Sequence, residues 1–284
     1  MITLLPTPIG NLGDITLRTL EVLAESEIVL CEDTRVTKKL LSLLQKSPII
    51  SSNFPEIFQD KVFYPFHSHN QREFLAQRDR AFFDKRVVFL SDAGMPCVSD
   101  PGALLVAYAQ EHGIAYDVLP GSNACVLAYC MSGVEDSGFV FGGFLPHKKE
   151  ERKRVLLEYF GANSRLSGNQ SIIFYESPHR ILDSLADLAA LDRECRVFAI
   201  KEMTKINQKF FTGSAQEVLE RIKGENIKGE WVLVLNPTRT QERVLSLEEI
   251  EQMSLPPKVR AKLLAKLTGQ DPKSIYQNHI EGGE

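Results

Sequence analysis

Residues 87–102 read VVFLSDAGMPCVSDPG. The first four, Val87–Leu90, are apolar and rich in β-branched and aromatic side chains. A short run of that kind, bounded by turn signals, predicts a buried strand. The next twelve, Ser91–Gly102, hold two Asp, two Gly and two Pro, so they form a rigid, irregular, acidic turn that cannot extend the strand. The same grammar recurs along the chain. Ile2–Leu5 runs into Pro6-Thr7-Pro8-Ile9-Gly10-Asn11, and Ile28–Cys31 into Glu32-Asp33-Thr34-Arg35. Val118–Leu119 runs into Pro120-Gly121-Ser122-Asn123-Ala124, and Ile172–Tyr175 into Glu176-Ser177-Pro178-His179-Arg180. Val197–Ile200 runs into Lys201-Glu202-Met203-Thr204-Lys205. Helix-like stretches follow. Ser177 is expected to cap a helix opened by Pro178, with Leu182, Leu185, Leu188 and Ala189 as its apolar stripe. Thr34 is expected to cap Arg35–Leu44. Strands alternating with helices predict an α/β protein with largely parallel sheets. In such sheets, ligands bind where the carboxyl ends of strands meet helix N-termini. Six charged or glycine- and proline-bearing turns therefore point to one shared cleft.

The length of 284 residues fits about two domains. A first α/β domain is expected over 1–117, a second over 118–237, and a helical, locally basic tail over 238–284. Hydrophobic residues at 43% and charged residues at 25% exclude disordered, collagen-like and coiled-coil chains. No apolar run approaches the ~18 residues of a membrane span. The first ten residues, MITLLPTPIG, lack the basic start of a secretory signal. The five scattered cysteines form no CxxC pair and suit reduced thiols in a cytoplasm. The net charge of -4 means that any nucleic-acid contact is a local patch.

Several chemistries are excluded by what is missing. There is no GxxxxGK[ST] loop, no GxGxxG after a strand and no GxSxG elbow. Asp92 and Asp100 lack a companion His/Asp cluster at metal spacing, so no metal is expected. His67 and His69 read as surface histidines near a groove. Cysteines in apolar stretches such as Ala124–Cys130 read as buried, inert thiols.

The segments TPIGNLGDITLRTLEVL, EDTR, SDAGMPCVSDPG, PGSNA, GGFLP, YESPHR and KEMTK occur in one order over residues 6–205. In them the chain resembles the ribosomal RNA small subunit methyltransferase I family, a branch of the tetrapyrrole methylase-like superfamily. The sequence departs from that pattern at Met95, Lys201 and Met203, and in Phe210–Gly213. The resemblance implies two α/β domains with S-adenosyl-L-methionine in the cleft between them. It implies a homodimer that methylates the ribose 2'-OH of a cytidine in the decoding region of small-subunit ribosomal RNA. The superfamily's cofactor contacts fall on Pro8, Gly10, Asp92, Ala93, Gly94, Asn123, Ala124, Tyr175, Glu176 and Met203. Two competing expectations are a tetrapyrrole as substrate and a non-catalytic RNA-binding assembly factor. YESPHR and EDTR speak for the RNA branch.

Methyl transfer to a hydroxyl needs alignment and a group that removes or weakens the hold on the proton. Candidates in the matching motifs are Glu202, Lys205, Glu32, Asp33 and Arg35, with Glu176 beside them. Phe66, Phe141, Phe144 and Tyr175 are candidate stacking platforms for a base, Phe141 and Phe144 reading more readily as core. Arg180 is a candidate phosphate contact. In the tail, Lys258, Arg260, Lys262, Lys266 and Lys273 face only Asp271 over residues 257–273, a local +4. Val259, Leu263, Leu264 and Leu267 are expected to form the inward face of a helix that stops at Gly269. Lys258, Arg260, Lys262 and Lys266 are therefore expected to touch ribosomal RNA.

Overall fold

The computed structural model describes residues 1–55, 57, 60–135, 138–163, 170–238, 250, 252–269 and 271–281. The first part alternates β1 (Ile2–Leu5), α1 (Leu17–Glu25), β2 (Ile28–Cys31), α2 (Thr34–Gln45), α3 (Pro48–Asn53), β3 (Val62–Pro65), α4 (Gln71–Ala76), α5 (Arg80–Asp84), β4 (Val87–Leu90), α6 (Ala103–Glu111) and β5 (Tyr116–Val118). After α7 (Ala124–Ser132) come β6 (Phe139–Phe144), α8 (Lys149–Asn163), β7 (Ser171–Glu176), α9 (Ile181–Leu191), β8 (Arg196–Lys201), β9 (Lys209–Ser214), α10 (Ala215–Lys223) and β10 (Trp231–Asn236). Two further helices, α11 (Pro257–Thr268) and α12 (Pro272–Glu281), follow.

The first sheet has the order β3-β2-β4-β1-β5, and every pairing in it is parallel. Its inner strands β1, β2 and β4 are buried end to end because both faces are covered, whereas the edge strands β3 and β5 are partly exposed. Ile2, Leu4, Ile28, Leu30, Val87 and Phe89 feed one core layer, and Leu5, Val29, Val88 and Leu90 feed the other. That is the period of two that a pleated strand imposes. The connection from β1 to β2 crosses β4 in one direction, and the connection from β4 to β5 crosses β1 in the other. The strand order therefore reverses between β1 and β4, and a switch point of this kind opens a crevice at the carboxyl ends.

The second sheet departs from the expected parallel arrangement. Its order is β6-β7-β10-β8-β9, and only β6 and β7 run parallel. The β7–β10, β10–β8 and β8–β9 pairs are antiparallel. The strand–helix–strand units are still present, but they interleave. Helix α9 carries the chain from β7 to a parallel β8, and β10 inserts between them. Helix α10 carries it from β9 to a parallel β10, across β8. Strand type is legible in the local run, whereas which strand fills a gap is decided by packing. Trp231, Phe174, Phe211 and Leu233 anchor one core layer of this sheet, and α7 lies over the other with Cys125 and Ala128 buried.

Three helix details also differ from expectation. The cap of α2 is Asp33, whose carboxylate accepts the Arg35 N–H at 2.8 Å. Residues 177–180 form a turn, and α9 begins only at Ile181. In α11 the buried residues are Ala261, Leu264 and Ala265, packed with Ile250 and Ile275, while Val259, Leu263 and Leu267 are exposed. The alanines let α12 approach closely, so the inward face is set by small residues and not by the leucine spacing. Gly269 ends the helix in the left-handed region, at φ 71°. Of the expected tail, residues 239–249 lie outside the described residues. Among the described residues no helix is long and apolar enough to cross a membrane.

Candidate active site

The turns after β1 and β4 are stitched together at the switch point. Thr7 and Gly94 exchange backbone hydrogen bonds in both directions at 3.0 Å. The Thr7 hydroxyl donates to the Ser91 carbonyl and the Ser91 hydroxyl to the Gly94 carbonyl. Gly94 holds φ at +85°, a conformation costly for any residue with a Cβ. Beside this stitch lies a cavity of about 420 Å3. The first sheet supplies Glu32, Asp92, Ala93, Gly94 and Asp100 to its wall. Asn123 and Ala124 border it from the start of α7, and Phe144, Tyr175, Glu176, Trp231 and Val232 from the second sheet. The volume falls in the ~300–1,000 Å3 range of small-molecule sites.

Its electrostatics are one-sided. Burial pushes the Asp100 carboxyl up to about 7, helped by the negative charges of Glu32 and Asp92. Burial also raises Glu32, with Asp92 and Asp33 adding to the shift and His67 opposing it. Asp92 is raised by burial and by Asp33, although it accepts the Asp33 N–H at 3.3 Å. Three carboxylates that resist ionisation line one wall, and none of them is in an ion pair among the described residues. Such a wall favours a cationic guest. The start of α7 borders the same space with backbone N–H groups that favour an anion. A ligand carrying both a sulfonium and a carboxylate suits this pair of walls. Among the described residues, no group of three or more His, Cys, Asp or Glu could hold a metal ion.

The expected site residues divide sharply. Asp92, Ala93, Gly94, Asn123, Ala124, Tyr175, Glu176 and Glu32 border the cavity. Pro8 is buried, and Met203 packs in the core with Phe198, Ile200 and Val232. Gly10 makes room not for a ligand but for the chain itself. A Cβ on it would lie 2.5 Å from Lys205 Cγ and 2.7 Å from the Met203 carbonyl oxygen. Asn11 N–H donates to Thr204 Oγ1 across the same seam at 2.9 Å. Glu202 and Lys205 belong to this seam. Lys205 Nζ donates to Glu202 Oε1 and Glu230 Oε2, both at 2.9 Å. Burial raises Glu202, but hydrogen bonds from Lys205 and the Glu230 N–H bring it below its ordinary value. Burial lowers Lys205, but its bonds to Glu230 and Glu202 raise it overall. Both stay charged, and only Glu230 of the three borders the cavity.

Asp33 and Arg35 also stand outside it. Arg35 is exposed and pairs with Asp33 at 2.6 Å, which holds the Asp33 carboxyl down at about 2. A carboxylate so stabilised is a poor base. Arg180 is not available to a phosphate. Its guanidinium donates to Ser177 Oγ and to the Leu145 carbonyl, and pairs with Glu176 at 2.8 Å. The Glu176 side chain is fully buried in that network, which Ser184 Oγ completes at 2.6 Å. The EDTR and YESPHR motifs thus do both: Glu32 and Tyr175–Pro178 border the cavity, while Asp33, Arg35 and Arg180 serve as framework. Phe66 is core, but Phe144 is 55% exposed and meets Tyr175 edge-on at 5.6 Å. A register shift between Phe141 and Phe144 turns Phe144 onto the Tyr175 face. The thiols are mixed: Cys31, Cys125 and Cys195 are buried, whereas Cys97 and Cys130 are exposed.

Asp100, Glu230, Trp231 and Val232 were not legible as site residues. Trp231 and Val232 begin a strand. Because β10 is antiparallel to both neighbours, its start lies at the carboxyl ends of β7 and β8. The signal for Asp100 is its place in the same acidic turn as Asp92. In the tail, Lys258 and Lys262 line a groove of about 370 Å3 with Lys273 and Tyr276. Lys266 is exposed, and Arg260 is half-buried with its guanidinium on the Leu255 carbonyl.

Two α/β sheets with a cavity at their shared strand ends define a methyltransferase fold. The sequence pattern of the tetrapyrrole (corrin/porphyrin) methylases matches residues 1–219. Solved structures agree at the level of fold alone. A diphthine synthase has a TM-score of 0.56 at 18% identity, covering 88% of this chain and 93% of that one. The cobalamin-biosynthetic cobalt precorrin-4 methyltransferase has a TM-score of 0.55 at 14% identity, covering 83% and 94%. Closer likenesses are found in sequence. The ribosomal RNA small subunit methyltransferase I of Helicobacter pylori strain J99 is 49% identical over 97% of this chain and 96% of its own length. That of Campylobacter fetus is 41% identical over 99% and 100%. The chain belongs to the ribosomal RNA small subunit methyltransferase I family, within the tetrapyrrole methylases. Enzymes of this family depend on S-adenosyl-L-methionine.

Proposed function

We propose that this chain methylates the ribose 2'-hydroxyl of a cytidine in the decoding region of small-subunit ribosomal RNA, in the cytoplasm and as a homodimer. S-adenosyl-L-methionine, when bound, supplies a methyl group already activated on a sulfonium. The acidic wall of Glu32, Asp92 and Asp100 suits that positive charge, and the start of α7 at Asn123 and Ala124 suits the carboxylate. Tyr175 and Phe144 offer ring faces and edges at the mouth, where an unpaired base or the cofactor's adenine can pack. Asp100 is the proton acceptor in this reading. A base works best when its pKa lies near the working pH, and about 7 meets that condition. Its carboxylate would take the 2'-hydroxyl proton, and the bound donor would supply the methyl group, the electron pair of the broken carbon–sulfur bond staying on sulfur as a neutral thioether. The tail groove of Lys258, Lys262 and Lys273 serves as an outlying phosphate contact.

The observation that carries the proposal is the cavity at the strand ends with Asp100 in its wall, in a chain nearly half identical to named ribosomal RNA methyltransferases. Purified chain with methyl-labelled cofactor should label small ribosomal subunits and leave a tetrapyrrole unlabelled. Label on the macrocycle, or on neither, would refute it.

A further inference from the structure

The cavity's acidic wall raises a problem for an RNA substrate. Phosphates cannot follow the ribose into a space lined by Glu32, Asp92 and Asp100. They must be held outside, by cations close to the mouth. Helix α2 begins two residues after Glu32. It docks on the sheet through Thr37, Leu41 and Leu44. Residues 34–46, TRVTKKLLSLLQK, hold Arg35, Lys38, Lys39 and Lys46 and no acidic residue. Arg35 is taken by Asp33, but Lys38, Lys39 and Lys46 are exposed. Among the described residues none of these three lysines is in an ion pair. Elsewhere on the α/β body, Lys148, Lys205, Lys209 and Lys223 sit on carboxylates, and the exposed lysines in no ion pair among the described residues, such as Lys85, Lys149 and Lys228, lie apart in sequence and not along one helix. Between α2 and the edge strand β3 runs an open groove of about 510 Å3, lined by Lys38, Ser42, Gln45, Lys46 and Phe63. Lys38 Nζ lies 5.2 Å from the Phe63 ring centre.

We propose that the outward face of α2 and its groove against β3 form a track for the RNA strand flanking the methylated nucleotide. The occupant is single-stranded RNA, with its phosphates on Lys38, Lys39 and Lys46. The charge of the track complements the backbone, and the helix starts two residues after Glu32, which borders the cavity. From Lys38 to Lys46 the helix rise gives about 12 Å, room for a short run of nucleotides. The proposal rests on the reading that ribosomal RNA is the substrate.

The test uses the full chain with Lys38→Ala, Lys39→Ala and Lys46→Ala combined, titrated with purified small ribosomal subunits over a range of salt. Cofactor affinity by calorimetry should match the unaltered chain, because no altered residue borders the cavity. Subunit binding should fall about tenfold or more. The slope of log affinity against log salt should drop by about 2, near 0.7 per lost single-strand phosphate contact. Replacing the same three residues by Arg should restore both. If the triple variant misfolds, Lys39→Ala and Lys46→Ala read singly should each lower the slope by about 0.7. A full-strength slope in a folded variant overturns the proposal while the substrate reading stands. If the unaltered chain does not bind the subunit at all, both fail. If the triple variant changes only the oligomeric mass, α2 faces a second copy and the proposal is wrong.

Discussion

Asp100 shows how a residue's chemistry depends on its neighbours. Burial, reinforced by the two acids beside it in the cavity wall, holds its proton until about pH 7. An unfolded aspartate releases its proton near 4. Between those values the unfolded chain sheds a proton that the folded chain keeps, and stability falls as pH rises. Asp100→Asn removes that loss. Its melting temperature should exceed that of the unaltered chain by a margin that grows from pH 4 to pH 8, as read by thermal melting without ligand. A margin that shrinks with pH would contradict the assignment. The same substitution should cut methyl transfer to ribosomal RNA by roughly 10²–10⁴-fold at saturating cofactor. Glu202→Gln should instead act on the seam between residues 9–11 and 203–205. It should lower stability more than turnover per folded molecule, which single-turnover rates would check.

The elements divide between what local sequence dictates and what packing decides. Strands β1, β2 and β4 announce themselves as apolar runs, and their turns carry cavity residues, whereas the half-exposed edge strand β3 gave no such run and the edge strand β5 lies at Tyr116–Val118 where Val118–Leu119 was expected. Strand β10 announces itself equally well, but nothing local says that it inserts backwards between β7 and β8. That insertion brings Trp231 and Val232 to the site, so this part of the site was hidden in the sequence. The polar motifs misled for a related reason. A charged residue in a turn reads alike whether it faces a ligand or clamps a neighbour. Arg180 clamps: its three bonds tie the turn after β7 to Leu145, just beyond β6. Arg180→Ala leaves the Glu176 carboxylate buried without its partner, a change that typically costs about 3–5 kcal/mol. Chemical denaturation should show a loss of that order. An unchanged midpoint would return Arg180 to the surface and to RNA.

At the scale of the whole molecule, charge is segregated. An acidic cavity lies between two sheets, a basic helix opens at its mouth, and a small basic helical pair stands further along the chain. A cationic cofactor entering that cavity stabilises the ionised carboxylates and releases protons. Its affinity should therefore rise with pH toward 7 and level off above it. Calorimetry in buffers of differing ionisation enthalpy should record proton release on binding, and proton uptake would reverse the sign of the argument. A homodimer should give twice the chain mass of 31.9 kDa by light scattering. The α/β class, the cleft and most of its first-sheet lining were legible from residues 2–124. The choice of base was not, because burial and mutual repulsion set it and neither is written in spacing. The most direct measurement uses two reconstituted small-subunit RNAs, one carrying an ordinary target cytidine and one a 2'-deoxycytidine at that position. The account predicts one methyl group on the ordinary RNA, located on the ribose, and none on the deoxy RNA. Equal methylation of both would place the methyl on the base and contradict the ribose chemistry assigned to this cavity.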